Sequence, residues 1–349
     1  MMILPLRRQF EDKAEVLITH RLPGPGKVVV RVGDKVSDQD TVGVAEVSGG
    51  EKRIDLAKIM GISTERVQSV LIKKPGEAIY LGEPLARLRR TLGLRNKVYL
   101  SPVDGILDDV AGGEVTIRFA PSEVSVTAEF AGTVALVNEG ESVTIRLTAS
   151  RVLGLYGTGP QRFGEIKIVH STTGLITAQD IDSSLAGKIV VSRSALSAEA
   201  VVKGLAIGVR SYFVGGVNFH DSLNFQGKSD LTIVSLEGYG EHQIREEIWK
   251  VLSAQDGRCA AIYGDAKLLI IPTDGKGSAR DPVGWRELHA GDRVRVTSGE
   301  DLGTVGTANG VSSDSVVLPS GISTEVVKIK TQGEDLVYPA ANLEIIEPK

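Results

Sequence analysis

The chain has 349 residues, of which 42% are hydrophobic and 24% are charged, and its formal net charge at neutral pH is −4. This length exceeds what one hydrophobic core usually serves, so two or three domains are expected. The composition excludes a disordered chain, no apolar run approaches the roughly 18 residues of a membrane-spanning helix, and the acidic balance argues against a nucleic-acid partner. The start of the chain becomes charged too early for a signal peptide, and the single cysteine excludes an internal disulfide, so we expect a cytoplasmic protein without membrane contact.

The first ninety residues contain two similar phrases, KVVVRVGDKVSDQDTVGVAEV from Lys27 and VQSVLIKKPGEAIYLGEPLARL from Val67. Each reads as a strand, a glycine–acid turn and a second short strand whose alternate residues face one core. The phrases resemble the two halves of lipoyl and biotinyl carrier domains, and the resemblance implies a barrel-sandwich hybrid of two interlocked sheets. Carrier domains bear a lysine at a hairpin tip, for which Lys52 is the candidate here. Its surroundings, SGGEKRIDLAK, lack the tip motif of the family, so we predict neither a modified lysine nor any other cofactor.

A second repeat follows at a period of 28 residues, and its two copies share the sequence VTIR at 115–118 and 143–146. Each copy reads as a hairpin in which valine and isoleucine take one face while threonine and arginine take the other. We therefore assign residues 1–160 to one duplicated-hairpin hybrid domain. Similar hybrids occur inside RNA polymerase subunits and electron-transfer complexes, so the architecture implies no single function.

The stretch IDLAKIMGISTERVQSVL, residues 54–71, has the spacing of a DNA-reading helix-turn-helix. In that interpretation Arg66 and Gln68 would contact bases, and Lys73 and Lys74 would contact phosphates. No third helix is predicted to complete such a core, and Glu65 would repel the DNA backbone. The favoured alternative is an inserted helical hairpin that closes one end of the hybrid. Its expected core residues are Leu56, Ile59, Met60, Ile62, Val67, Val70 and Leu71.

Residues 161–273 are predicted to form a central α/β domain, because strand patterns alternate with helical ones from Glu165 onward. Strands are expected at 165–171, 187–192, 210–216, 229–240, 258–264 and 266–273, and helices at 195–208 and 241–257. Strands that alternate with helices favour a parallel or mixed sheet covered on both faces. Cys259 lies in the apolar run RCAAIYG and is expected to be a buried, inert thiol.

Open α/β sheets bind ligands at the carboxyl ends of their strands. Three such ends are predicted to carry polar groups, and together they supply a weak ligand-binding hypothesis for six residues: Ser192, Ser194, Asn218, His220, Asp221 and Glu237. An imidazole beside a carboxylate suits acid–base chemistry or metal binding, whereas a hydrogen-bonded loop histidine is the plainer interpretation. No catalytic residue is assigned, and no histidine or cysteine spacing predicts a metal site.

Residues 274–284 are predicted to be a linker, and residues 285–349 a small barrel. The segment LHAGDRVRVTSGEDLGTVGTANGV resembles a KOW motif of an SH3-like β-barrel, through glycines at 291, 299, 303 and 306 and valines at 294, 296 and 305. KOW modules often bind RNA or proteins. From Trp285 onward, however, six basic residues face ten acidic ones, which disfavours a polyanion and favours a protein partner.

Three functions remain open at this point. The first is a non-enzymatic scaffold or accessory protein that contacts a larger cytosolic complex. The second is a transcription- or RNA-associated factor of the KOW type. The third is a small-ligand-binding protein or an enzyme that uses the strand ends of the α/β domain. The sequence predicts no oligomeric state.

Overall fold

The computed structural model describes residues 2–89, 96–275, 277, 283–318, 320–331 and 335–346. Strands contain 48% and helices 14% of the described residues, and the strands form several sheets, which confirms the predicted β-rich, multidomain class. Within the described ranges, every helix is too short or too polar to cross a membrane. The chain forms two units, one built from Met1–Val16 together with Arg146–Lys349 and the other from Leu17–Ile145.

The regular elements are numbered here in chain order. The strands are β1 (Ile3–Arg7), β2 (Phe10–Arg21), β3 (Gly26–Val28), β4 (Lys35–Val36), β5 (Thr41–Val47), β6 (Glu51–Asp55), β7 (Ala78–Ile79), β8 (Pro84–Leu88), β9 (Lys97–Leu100), β10 (Gly105–Ala111), β11 (Glu114–Arg118), β12 (Ser122–Thr127), β13 (Gly132–Asn138), β14 (Ser142–Leu153), β15 (Tyr156–Thr158), β16 (Gln161–Ile168), β17 (Leu175–Ile176), β18 (Ile189–Val191), β19 (Ala195–Leu196), β20 (Ser211–Val214), β21 (Thr232–Ser235), β22 (Cys259–Tyr263), β23 (Leu268–Pro272), β24 (Val283–Glu287), β25 (Arg293–Val296), β26 (Val305–Val317), β27 (Ser323–Lys330), β28 (Asp335–Pro339) and β29 (Leu343–Ile346). The α-helices are α1 (Leu56–Met60), α2 (Val67–Val70), α3 (Ala198–Ile207), α4 (Phe219–Phe225) and α5 (Glu246–Ser253), and short 3-10 helices span Thr64–Arg66, Ala178–Asp180, Ser183–Leu185 and Ala340–Asn342.

The unit Leu17–Ile145 contains one subdomain nested inside another. Strands β5 and β12 pair antiparallel, with Val47 opposite Ser122, so the chain between them leaves and returns at the same place. The intervening residues form the sheet β6-β11-β10-β7 and the hairpin β8-β9. They enclose a hydrophobic core of their own, which consists of Ile54, Leu56, Ala57, Met60, Val67, Val70, Ile79, Leu85, Ala86, Leu107, Val115 and Ile117. Lys52 lies within β6 opposite Ile117 and not at a hairpin tip.

The stretch 54–71 forms two very short helices that pack on this nested core. Asp55 is the N-cap of helix α1, and its carboxylate accepts a hydrogen bond from the backbone N–H of Lys58. Gly61, in the left-handed conformation, is the C-cap. Four of the seven predicted core residues are fully buried and two are partly buried. Ile59 is the exception and is exposed, because a helix of five residues turns only one side toward the sheet.

The first part of the other unit is built on four parallel strands in the order β21-β20-β18-β16. Strand β22 continues the sheet antiparallel to β16, and β23 pairs antiparallel with β22. Helices α3 and α4 pack on one face through residues such as Val201 and Phe225, and α5 packs on the other face through Trp249 and Leu252. Helix α3 matches its prediction closely because its stop signals are local: Ser197 caps its start and Gly208, with φ +97°, ends it.

Three details in this region differ from the sequence interpretation. Residues 219–225, expected to be a loop, form α4, and α5 is limited to Glu246–Ser253 although helix was predicted over 241–257. Cys259 is exposed, so the prediction of a buried thiol was wrong. Cys259 is the first residue of β22 and lies opposite Glu165, and burial begins only at the next residue of the strand.

The remaining sheet has the order β24-β1-β29-β25-β26-β27-β28. Strand β1 lies between β24 and β29, parallel to β29, with Leu6 beside Ile345. Met2 and Leu4 belong to the same core cluster as Leu288 and Ile345. The sequence interpretation placed residues 1–16 in the domain 1–160, whereas here they group with Arg146–Lys349, because strand pairing joins segments that are distant in sequence.

Candidate functional site

The carboxyl ends of β18, β20 and β21 lie side by side, so the three predicted strand ends meet at one edge of the parallel sheet. The loops that follow these strands are joined through their backbones. The N–H of Gly215 donates to the carbonyl oxygen of Ser194 at 3.0 Å, and the N–H of Glu237 donates to that of Gly215 at 2.9 Å. The strands thus bring the predicted residues close together. What this edge of the sheet can bind depends on whether their side chains are free or already hydrogen-bonded.

Ser192 and Ser194 are buried inside this edge. The Oγ of Ser192 accepts a hydrogen bond from the backbone N–H of Ser194 at 3.2 Å, which stabilises the turn between them. A third hydroxyl, which the sequence interpretation missed, ties the neighbouring loops: the Oγ of Ser235 lies 3.0 Å from the carbonyl oxygen of Gly215 and 2.7 Å from that of Gly238. These serines therefore serve the packing of the loops.

The double glycine before Asn218 has a steric explanation. A Cβ atom on Gly216 would lie 2.0 Å from the carbonyl oxygen of Gly240, and one on Gly215 would lie 2.3 Å from that of His242. Both separations are far below van der Waals contact, so only glycine allows the two loops to approach this closely. The double glycine, which the sequence interpretation associated with a ligand-binding loop, is required by this close contact between backbones.

Asn218 caps helix α4. Its Oδ1 accepts hydrogen bonds from the backbone N–H groups of His220, at 2.9 Å, and Asp221, at 3.3 Å. His220 and Asp221 are consecutive residues of that helix, so their side chains diverge by about 100°. The imidazole of His220 is exposed and faces the ring of Phe219, with the two centroids 5.5 Å apart. The acid–base pairing considered from the sequence is not formed.

Behind His220 lies a chain of aromatic rings that leads into the core. The ring of Phe219 meets that of Tyr239 at a centroid distance of 5.1 Å, and Tyr239 meets Tyr156 at 5.2 Å. Burial raises the pKa of Tyr156 to about 12, and its hydroxyl donates to the carbonyl oxygen of Ser222. These rings fill the space between α4 and the loop after β21, which anchors the helix.

Glu237 belongs to a buried network of charges. Its carboxylate lies 3.3 Å from Nε of Arg245 and 3.5 Å from Nη1 of Arg295. Arg295 in turn contacts Glu344, whose second oxygen lies 3.1 Å from Nε of Arg7. Arg295 is 2% exposed and Glu344 is fully buried. Because burial of an unpaired charge is costly, these groups stabilise one another, and the carboxylate of Glu237 already has its partners.

The turn at residues 299–303 packs against the same strand ends. The backbone N–H of Tyr239 donates to the carbonyl oxygen of Leu302 at 2.8 Å, and the side chain of Leu302 is buried in the core of the parallel sheet. Gly303 has φ +101°, and a Cβ there would lie 1.9 Å from the carbonyl oxygen of Glu237. The turn therefore contacts protein within its own unit.

A polar pocket of about 330 Å³ lies beyond the end of β16. Hydroxyl, amide and carboxylate groups line it, from Ser171, Thr172, Thr173, Thr177, Gln179, Asp180 and Glu199. Asp180 accepts hydrogen bonds from both the backbone and the hydroxyl of Thr177, which fixes the local turn. Such a lining suits a small polar molecule. Neither here nor in the rest of the described ranges is a group of three or more His, Cys, Asp or Glu side chains arranged to hold a metal ion.

The four candidate nucleic-acid residues lie at α2 and in the segment that follows it. Arg66 precedes α2 and Gln68 lies within it, and both are exposed, but this helix has only four residues and is about 6 Å long, too short to follow a groove. Nζ of Lys73 pairs with Glu83 at 2.8 Å, which raises the pKa of Lys73. The backbone N–H of Lys74 donates to the carboxylate of Glu77 in a local turn, and its side chain is exposed.

The chain matches no protein-family model, and a search of curated proteins finds no sequence similar to it.

Proposed function

We propose that this protein is a non-enzymatic accessory protein of a larger cytosolic complex, and that it binds a partner protein through the unit Leu17–Ile145. The observation that carries the proposal is the distribution of exposed apolar side chains. Eleven of the twenty large apolar residues that are exposed among the described residues lie in this unit, which holds little more than a third of the chain. Adjacent exposed apolar side chains, such as those of Tyr80 with Leu81 and of Val98 with Leu100, favour association with another protein.

The contrast with the strand ends supports the same proposal. There the polar groups predicted to hold a ligand are used internally: Asn218 caps a helix, Glu237 pairs with arginines, and Ser192 closes a turn. We infer that the unit Leu17–Ile145 is a barrel-sandwich hybrid of the carrier type, employed for protein contact. The seven-stranded sheet with its KOW-like turn is, in this proposal, an SH3-like barrel that contributes to the stability of the chain.

Cross-linking in the native host tests the proposal. The full chain, tagged for recovery, is treated with an amine-reactive cross-linker in cells, and the linked peptides are identified by mass spectrometry. We expect links from lysines of Leu17–Ile145, such as Lys27 and Lys58, to one recurrent partner. The pair Tyr80→Ser and Leu81→Ser should lower recovery of that partner. The control pair Val202→Ser and Leu223→Ser, which are also more than half exposed but lie in the other unit, should leave recovery unchanged. Recovery of the chain without a partner, or equal loss with both pairs, refutes the proposal.

A second candidate function is the binding of a small polar molecule in the pocket beyond β16. Its position at the carboxyl edge of parallel strands favours this function, since open sheets commonly bind ligands there. A thermal-shift screen of sugars, polyols and amines tests it. A hit should lose its stabilising effect in the Glu199→Ala variant, and a screen without such a hit removes this candidate.

A further inference from the structure

The hairpin β8-β9 has one face that packs on the nested core and one that faces solvent. Arg87 lies opposite Val98, and Leu88 lies opposite Lys97. Residues Ala86, Leu88 and Tyr99 belong to the nested core or pack against it. Because side chains alternate along a strand, Arg87, Val98 and Leu100 share the outer face.

Two apolar side chains of this outer face, those of Val98 and Leu100, lie on β9, whose far edge is open. Val98 is 42% exposed and Leu100 is 51% exposed. Among the described strands, β9 pairs with β8 alone, so its other edge meets no strand. An exposed apolar edge strand is a template for pairing with another chain, and proteins usually protect such an edge. Here the side chains that would normally protect it are valine and leucine.

Two exposed arginines border this face. Arg87 and Arg89 are both exposed, and neither guanidinium makes a hydrogen bond or ion pair with a described residue. Nearby cations are different: Lys73 pairs with Glu83, and Nζ of Lys97 donates to the carbonyl oxygen of Ile59. A guanidinium binds a carboxylate through two parallel hydrogen bonds, so the arginines of this hairpin suit an acidic side chain on an incoming strand.

From these observations, and on the basis of the function proposed above, we infer that the outer face and open edge of β9 bind an extended segment of the partner protein that carries aliphatic and acidic residues. The backbone of the segment adds to the edge of β9. Its aliphatic side chains contact Val98 and Leu100, and its carboxylates contact Arg87 and Arg89.

Peptide binding to the full chain tests this inference by fluorescence anisotropy. The probe is a short labelled peptide in which valine, glutamate and serine alternate. The comparison probes are the same peptide with lysine in place of glutamate and a single-stranded oligothymidylate. We expect the glutamate peptide to bind at least about tenfold more tightly than the lysine peptide, a difference of about 1.4 kcal/mol, and more tightly than the oligonucleotide.

Variants separate the charge from the apolar contact. The double variant Arg87→Glu and Arg89→Glu should reverse the preference between the two peptides. The double variant Val98→Ser and Leu100→Ser should weaken both. A matched control, Arg31→Glu with Arg66→Glu, makes the same change of net charge at exposed positions outside the hairpin and should keep the original preference. Circular dichroism verifies that each variant is folded.

The inference is overturned if the glutamate peptide does not bind, if both peptides bind equally, or if the oligonucleotide binds most tightly and loses affinity in the Arg87 and Arg89 variant. These outcomes are distinct from failure of the proposed function. A partner recovered by cross-linking, together with no peptide binding, would leave the accessory role intact and place the contact elsewhere on Leu17–Ile145.

Discussion

The ion network at the strand ends and the outer face of the hairpin β8-β9 use the same kinds of side chain in opposite ways. In the network, Arg295 is buried between Glu237 and Glu344. On the hairpin, Arg87 is exposed beside Val98 and has no partner among the described residues. A charge that folding has paired contributes to stability, whereas an unpaired charge at an open edge is available for binding. The sequence alone cannot distinguish these cases, because both are arginines in short alternating strands.

The sharpest test of this comparison is removal of a buried arginine. Arg295→Met would leave Glu344 and Glu237 with less compensation in a buried site. We expect the free energy of unfolding to fall by about 3–5 kcal/mol. Urea unfolding measures this loss. The matched change Arg87→Met on the hairpin should alter stability by no more than about 0.5 kcal/mol. Equal effects at the two positions would contradict the comparison.

The backbone contact between the strand ends and the turn at residues 299–303 supplies the second test. Gly303→Ala forces a Cβ to within 1.9 Å of the carbonyl oxygen of Glu237 at φ +101°. We expect a loss of about 2–3 kcal/mol from steric displacement and backbone strain. Gly76 has φ +92° but open space around it, so Gly76→Ala should cost only about 1 kcal/mol. Thermal unfolding compares the two, and a larger loss at Gly76 would contradict the contact.

A buried titratable group in the unit Leu17–Ile145 gives a test by pH. Burial lowers the pKa of His20 to about 4, whereas the unfolded chain has the ordinary value of 6.5. Its contribution to stability is complete above pH 6.5 and is lost as the pH falls from 6.5 toward 4, by up to about 1.4 kcal/mol for each pH unit. Urea unfolding between pH 8 and pH 4 measures the slope. In the His20→Gln variant this slope should flatten, and an unchanged slope would assign the effect to other groups.

The smallest expected effect concerns the cap of α4. Asn218→Ala removes the acceptor for the N–H groups of His220 and Asp221, which should cost about 1 kcal/mol. Asn218→Asp keeps an acceptor and should restore most of the stability. Thermal unfolding of both variants measures the difference. If a ligand of the strand ends were held by Asn218, the aspartate variant would lose the response to that ligand while its stability was restored.

Local signals in the sequence predicted the elements that depend on neighbouring residues. Ser197 and Gly208 bound α3 almost where they were expected to, and the VTIR phrases lie in β11 and β14. The β-rich class followed from many glycine turns between short alternating segments. Helix α4 escaped prediction because its seven residues follow a double glycine, and that pair marks a loop as readily as a close backbone contact.

Features that depend on distant residues could not be predicted in this way. Glu237 was singled out as a polar group at a strand end, but its partner Arg295 lies 58 residues further along the chain. Strand β1 carries alternating apolar residues, yet nothing in its own sequence indicates that it pairs with β24 and β29. Whether Cys259 is buried depends on where β22 begins, and that start is set by the pairing of strands in the whole sheet. Parallel strands bring the candidate residues together as expected. Whether their polar groups are available to a ligand depends on hydrogen-bond and ion-pair partners that are distant in the sequence.

The position of β1 has a consequence for biosynthesis. Leu6 emerges from the ribosome long before Ile345, the residue beside which it finally lies. At about 5–20 residues per second, the strand waits roughly 20–70 s for its neighbours. During that interval its apolar side chains, Leu4 among them, have no core to enter. The nascent strand is therefore expected to be prone to aggregation until its neighbours in the seven-stranded sheet have been synthesised.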